Sequence, residues 1–322
     1  MDYPNITISA TPHVRSKDST QSIMRDVIIA LMPATIVGVY RFGIKALLLI
    51  IISIASAVIA EAVYQKITKQ KVTISDLSAV VTGLLLAMNI PSSAPWWLPM
   101  VGSAFAIIFA KQLFGGIGQN FINPALAGRA FLLCSYPTLM TAWVAPGPDA
   151  ISVATPLAIL KEGNPETLSS LPSLLDAAMG NIGGCIGETC AIALIIGGLY
   201  LIAKGVISWR IPVVYLATVF VLSFLLPREG STPVYELMIG GVMLGAFFMA
   251  TDYASSPITP KGQIIMGLGC GIITVLIRVY GGYPEGVSYS ILIMNLCVPL
   301  IDRFTKPTIF GALPKAKEAK KA

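Results

Sequence analysis

The chain has 322 residues, 55% of them hydrophobic and only 12% charged, with a mean hydropathy of +0.78. A water-soluble domain carries about 25% charged residues, so soluble-enzyme readings are excluded and most of the length belongs in lipid. The net charge of +6 does not mark a nucleic-acid surface, because the 22 Lys and Arg are spread along the chain and bunch at its C-terminus, which suits membrane topology instead.

Residues 1–22 form a polar N-tail without the apolar core of a signal peptide, and its lone His13 reads as a surface residue. At about 20 residues per crossing, apolar stretches at 23–40, 44–63, 77–90, 96–113 and 124–136 predict a first repeat of five helices (23–136). Residues 137–181 form a long polar loop. Stretches at 182–203, 211–226, 235–250, 264–280 and 287–301 predict a second five-helix repeat (182–303), followed by a basic tail (304–322). The expected fold is an all-α polytopic membrane protein with about ten transmembrane helices. With the N-terminus inside, most Lys and Arg fall in inner segments. Both termini are therefore expected in the cytoplasm and the 137–181 loop outside. Cys134, Cys185, Cys190, Cys270 and Cys297 sit in or beside apolar runs, as small buried hydrophobes do. Cys185 and Cys190 lack the compact multi-Cys spacing of an iron–sulfur or metal site, and no metal site is expected.

The two halves resemble each other. Thr82–Asn89 ends one span before Ser92-Ser93-Ala94-Pro95, and Leu244–Thr251 ends another before Ala254-Ser255-Ser256-Pro257. One span further on, each half reaches a Gly-Gly pair, Gly115-Gly116 and Gly281-Gly282. Because each half has an odd number of spans, the second copy enters from the opposite face, giving an inverted repeat. Both copies lose apolar character at matched places, Asn89-Ile90-Pro91 and Thr251-Asp252-Tyr253. Broken helices at corresponding positions point to an intramembrane site. Asn89 and Asp252 are thus ion-pathway candidates, and a carboxylate at such depth is expensive unless it serves a site. An interfacial or capping role for Asp252 stays open. Glu188, Glu236 and Glu285 call for the same weighing. Arg129 places a permanent cation on an apolar helix, to bind a phosphate, pair an acid or snorkel.

Asp149-Ala150-Ile151-Ser152-Val153-Ala154-Thr155-Pro156 resembles the acceptor motif for covalent flavin attachment, in which FMN joins a threonine hydroxyl through its phosphate. That chemistry asks for an accessible hydroxyl with small neighbours, and Pro156 discourages a helix from running back through Thr155. Ser9-Ala10-Thr11 and Met249-Ala250-Thr251 lack the Ser three residues before the Thr.

Phe114–Phe131, with its Asn123-Pro124-Ala125-Leu126-Ala127-Gly128-Arg129 core, and Gly245–Asp252 resemble hallmarks of the RnfD/NqrB family of membrane redox subunits. Gly281–Val287 and Pro12–Ser19 resemble its RnfD branch, which the compact length also suits. The resemblance implies a subunit of a complex that passes electrons between ferredoxin and NAD and couples this to Na⁺ or H⁺ movement across the cytoplasmic membrane. The chain would not act alone. Its implied partners are RnfA, RnfB, RnfC, RnfE and RnfG-type subunits and an ApbE-type flavin transferase. FMN would be held covalently at Thr155, with Ser152, Asp149 and Arg129 as further cofactor-site residues. NqrB-like proteins also hold riboflavin, which extends the expectation to a second, non-covalent flavin. Tyr253 departs from the Pro that many relatives carry after the Asp. From the residues alone, a redox subunit, a small-solute channel or secondary transporter, and a scaffold for partner subunits all remain open. The flavin-acceptor loop separates the first from the others.

Overall fold

The computed structural model describes residues 18–147, 151–188 and 190–307. His13, Asp149, Lys17, Lys317 and the basic C-terminal run lie outside them.

Helix α1 (Thr20–Ile67) opens on a capping box: the Ser19 hydroxyl accepts from Ser22 N–H while the Ser22 hydroxyl accepts from Ser19 N–H, satisfying donors the helix leaves free. Gly43, at φ 74° and ψ −162°, breaks α1 into two arms, a conformation that glycine adopts without a Cβ penalty. Then come α2 (Ser78–Met88), α3 (Trp97–Ile108) and α4 (Pro124–Ser135). Asn123 caps α4 by accepting from Leu126 N–H, with Pro124 at the first helical position, where its missing N–H costs nothing. The segment expected as a loop is partly helical, with α5 (Pro137–Met140), α6 (Pro156–Glu162), α7 (Pro165–Leu168) and α8 (Leu174–Met179). The second half comprises α9 (Ala191–Ala203), α10 (Arg210–Leu225), α11 (Pro233–Met238), α12 (Val242–Leu244), α13 (Pro260–Tyr280) and α14 (Val287–Thr305). A π-helical turn, Gly245–Met249, continues α12.

The molecule is an all-α polytopic membrane protein. Thr20–Ile67, Trp97–Phe114, Pro260–Tyr280 and Val287–Thr305 are long and apolar enough to cross a bilayer, and α2, α4, α9 and α10 are shorter apolar helices. Counting the two arms of α1 separately, and α12 with its π turn, the described residues contain ten apolar helical segments.

The halves share a packing plan. The second arm of α1 lies on α3, where Ser53 and Ser103 hydroxyls meet at 2.9 Å, and α3 lies on α4. Likewise α10 lies on α13 and α13 on α14. Across the halves, α1 meets α9 and α4 meets α14, so spans at corresponding positions of the two halves touch. Small residues set these approaches, as between helices in lipid. A Cβ at Gly197 would stand 2.0 Å from Ala30 O, and one at Gly83 would stand 2.8 Å from Ile54 Cα. The lipid-facing side carries exposed Ile36, Ile44, Ile59, Phe224 and Leu296. A separate apolar cluster of Leu157, Leu160, Ala177, Ile182, Tyr235 and Ile239 clamps α6 and α8 against α11.

Candidate functional site

Thr155 is delivered by backbone pairing on either side of residues 148–150. Ala145 N–H donates to Ile151 O at 2.9 Å and Val153 N–H to Trp143 O at 3.1 Å, with Val144 bridged to Ser152. The chain then enters α6 with Thr155 as its N-cap, the Oγ accepting from Ala158 N–H at 3.2 Å. Ser152 and Ala154 are exposed, but Thr155 is only 5% exposed. The expected accessible hydroxyl is therefore corrected. Leu157 and Leu160 draw the start of α6 into the apolar cluster, and the cap residue follows. Later in α6, Lys161 donates to Gly281 O; burial, and then the neighbouring Arg228, push its ammonium below the usual lysine range.

A cavity of about 10 Å³ lies beside Thr155, lined also by Gly183, Gly184, Glu188, Gly240 and Glu285. Glu188 reaches it from an irregular segment ahead of α9 that is stitched to the broken end of α2. Ile186 N–H donates to Ile90 O at 3.1 Å and Gly187 N–H to Met88 O at 2.9 Å. Arg129 stands behind Glu285, in the neighbouring cavity. Its Nη1 donates to Asn89 Oδ1 at 3.0 Å and to Ser288 Oγ at 2.8 Å, and its Nη2 pairs with Glu285. Of the three roles open to Arg129, the structure shows it pairing an acid. Cys185 Sγ and carboxylate oxygens of Glu188 and Glu285 lie within 4.8 Å of one another. Cys185 is thus grouped with acids and not with Cys190, whose thiol points to Ala178 O. Beyond Glu285 lies a second cavity, about 50 Å³, with Arg129, Trp143, Tyr283, Ser288 and Tyr289 in its walls.

Asp252 occupies a different place. It accepts from Ser255 Oγ at 2.8 Å and Asn120 Nδ2 at 3.3 Å, and lines a cavity of about 90 Å³ with Ser78, Lys111, Asn120, Phe247 and Phe248. Lys111 is buried there, 2.8 Å from Glu61 and 2.6 Å from Ser78 Oγ. Met249 lies between the two sites: Asn89 Nδ2 approaches its sulfur at 3.8 Å and Asn123 Nδ2 donates to its carbonyl at 3.2 Å. The two broken helix ends therefore meet, but Asn89 belongs with Arg129, and Asp252 belongs with Asn120 and Ser255. Tyr253 donates to Val206 O, tying the Asp252 turn to the loop after α9.

Two buried acids have cation partners that the sequence did not reveal. Glu61 takes Lys111, with Gln112 Nε2 donating at 2.9 Å. Glu236, singled out alone, takes Arg278 Nη1 at 3.0 Å and Arg228 Nε at 2.9 Å. A signal existed, since Lys111 and Arg278 both stand shortly before a Gly-Gly pair, but each counted only as a topology marker.

Residues 7–311 match the family model described as NQR2, RnfD, RnfE. The chain belongs to that family. It is 58% identical over 323 residues to the D subunit of the Na(+)-translocating ferredoxin:NAD(+) oxidoreductase complex of Acetobacterium woodii, covering 99% of this chain and 100% of that one. It is 49% identical to the D subunit of the proton-translocating ferredoxin:NAD(+) oxidoreductase complex of Clostridium ljungdahlii, covering 95% and 96%. Against the D subunit of the ion-translocating oxidoreductase complex of Aliivibrio salmonicida it is 36% identical, covering 94% and 98%.

Proposed function

We propose that this chain is the D-type membrane subunit of an Rnf-type ferredoxin:NAD oxidoreductase, relaying electrons through FMN held covalently at Thr155 while the complex moves Na⁺ or H⁺. The observation that carries the reading is the full-length similarity to subunits so named, together with an acceptor-like motif whose threonine lines a small polar cavity sharing Glu285 with an aromatic-walled one. RnfA, RnfB, RnfC, RnfE and RnfG-type subunits would complete the complex, and an ApbE-type transferase would attach the flavin. This reading puts the Thr155 loop outside the cytoplasmic membrane and both termini in the cytoplasm.

The residues present suit the group. Thr155 offers the hydroxyl; with a flavin dinucleotide as donor, attachment would form an Oγ–P bond, break the donor's pyrophosphate P–O bond and release the nucleoside monophosphate together with the hydroxyl proton. Trp143, Tyr283 and Tyr289 offer flat apolar faces for a ring system, and Arg129 offers a fixed positive charge on the same wall. A bound flavin would supply one- and two-electron chemistry, which no side chain here supplies. The chain's own part is to fix position and field: the Arg129–Glu285–Asn89 network is already hydrogen-bonded, so little reorganisation accompanies a change of charge nearby. Riboflavin, as a second and non-covalent flavin, would take the larger cavity lined by Asn120, Phe247 and Phe248. Asp252 and Asn89 flank the proposed ion route.

The test is Thr155→Ala in the assembled complex coexpressed with the transferase. In-gel fluorescence and peptide mass spectrometry should show complete loss of flavin that survives denaturation, with membrane insertion intact. Ser152→Ala should lower modification without abolishing it. Covalent flavin persisting in Thr155→Ala refutes the assignment.

A further inference from the structure

Glu188 is buried, and its Oε1 accepts from Cys185 N–H at 3.2 Å. Its Oε2 has no hydrogen-bond partner among the described residues. Leaving a buried polar atom unpaired is costly, the more so if it is charged. The nearby cations are committed elsewhere: Arg129 to Glu285, Asn89 and Ser288, and Arg278 to Glu236 and to the carbonyls of Ile239 and Glu285. With Glu188 ionised alongside Arg129 and Glu285, one negative charge would have no cation partner among the described residues.

The space beside Glu188 is kept open. The cavity of about 10 Å³ stands at the lower limit for a single water-sized occupant, ~10–15 Å³, and Gly183, Gly184 and Gly240 line it, while Gly241 stands against the Glu188 carboxylate. Gly241 adopts φ +70°, and a Cβ there would stand 2.6 Å from Glu188 Oε2. A proton would need no such room, and a water would leave the charge in place. Carboxylate oxygens within 4.8 Å of one another can both reach one hard cation at about 2.4 Å. Oxygen donors select such ions over soft metals, for which the Cys185 thiol would be the better ligand. A divalent ion would over-compensate the single charge.

We propose that Glu188 and Glu285, with Gly183, Gly184, Gly240 and Gly241 around them, form a binding site for one sodium ion. The site is separate from the Asp252 cavity and needs no flavin on Thr155.

Radiosodium equilibrium dialysis on the purified complex containing this chain tests it, with covalent flavin and subunit content measured on the same samples. Glu188→Gln keeps the side chain's size and removes its charge. Gly241→Ala keeps the charge and crowds the unpaired Glu188 Oε2. Each should lose one bound sodium per complex, or weaken it by about tenfold or more, while subunit content stays normal. Cys185→Ser should retain the ion. Unchanged sodium binding in a fully assembled Glu188→Gln complex overturns the proposal. So does a carboxylic-acid C=O infrared band that vanishes in Glu188→Gln while sodium binding is unaffected, because the occupant is then a proton. If the complex carries no covalent flavin yet shows Glu188-dependent sodium, the flavin reading fails alone. Flavin without Glu188-dependent sodium defeats this proposal alone.

Discussion

Arg129 on α4 donates to the side-chain oxygen of Asn89 at 3.0 Å, so the cation of one span closes the broken end of another. The same guanidinium pairs with Glu285 just before α14, binding the two halves together through one side chain. Removing one member of a buried ion pair costs about 3–5 kcal/mol, because the other charge is stranded, whereas removing both costs far less. Arg129→Met should therefore destabilise the protein by that amount, and Glu285→Met in the same background should restore much of it. Thermal unfolding in detergent, arranged as a double-mutant cycle, measures the coupling.

Asp252→Asn separates charge from shape. The amide can still accept from Ser255 and Asn120, so the fold should stand. In reconstituted complex, ion transport or electron transfer should fall while the Thr155 flavin content is unchanged. Normal values for both, across a range of Na⁺ concentration and pH, would reduce Asp252 to a structural role.

Orientation can be read by cysteine labelling in a chain whose exposed native thiol, Cys134, has been replaced by serine. Tags near Lys17 and Lys317 should react only from the cytoplasmic side, and a tag at exposed Glu166 only from the other. A cytoplasmic Glu166 would reverse the proposed route of flavin attachment.

At the start of α8, the Ser173 hydroxyl donates to Asp176 Oδ2 at 2.6 Å and Asn181 Nδ2 to Oδ1 at 3.2 Å. These bonds, Ser173's first, hold the Asp176 carboxyl below the usual aspartate range. A depressed folded value means that the contribution is present above the unfolded pKa and is lost as pH falls through the folded one. The α8 segment should therefore loosen at acid pH, and Asp176→Asn should flatten that dependence. Hydrogen exchange of residues 174–179 between about pH 3 and 6 checks this.

The spans were legible because lipid demands continuous apolar runs and tolerates few exceptions. The repeat was legible because small-residue helices and Gly-Gly pairs recur in order. What escaped was pairing in space. Glu61 and Lys111 are 50 residues apart in sequence, and nothing local says that they meet. Glu188 and Glu285 were noted singly, but their shared cavity is walled by Gly240, whose left-handed turn hydropathy does not encode. The motif around Thr155 was visible, but its burial was not, because Leu157 and Leu160 give no sign in isolation of where α6 docks.

On the proposed flavin reading, that burial would set an order of events for maturation. An enzyme that modifies Thr155 needs its hydroxyl in the open, yet docking of α6 withdraws it and engages it with Ala158 N–H. If Thr155 carries the flavin, attachment and docking compete in time, and whichever came first would decide whether a chain becomes competent or closes empty. The balance of transferase to newly inserted chain, more than the affinity of a finished site, would then govern how many complexes carry a flavin.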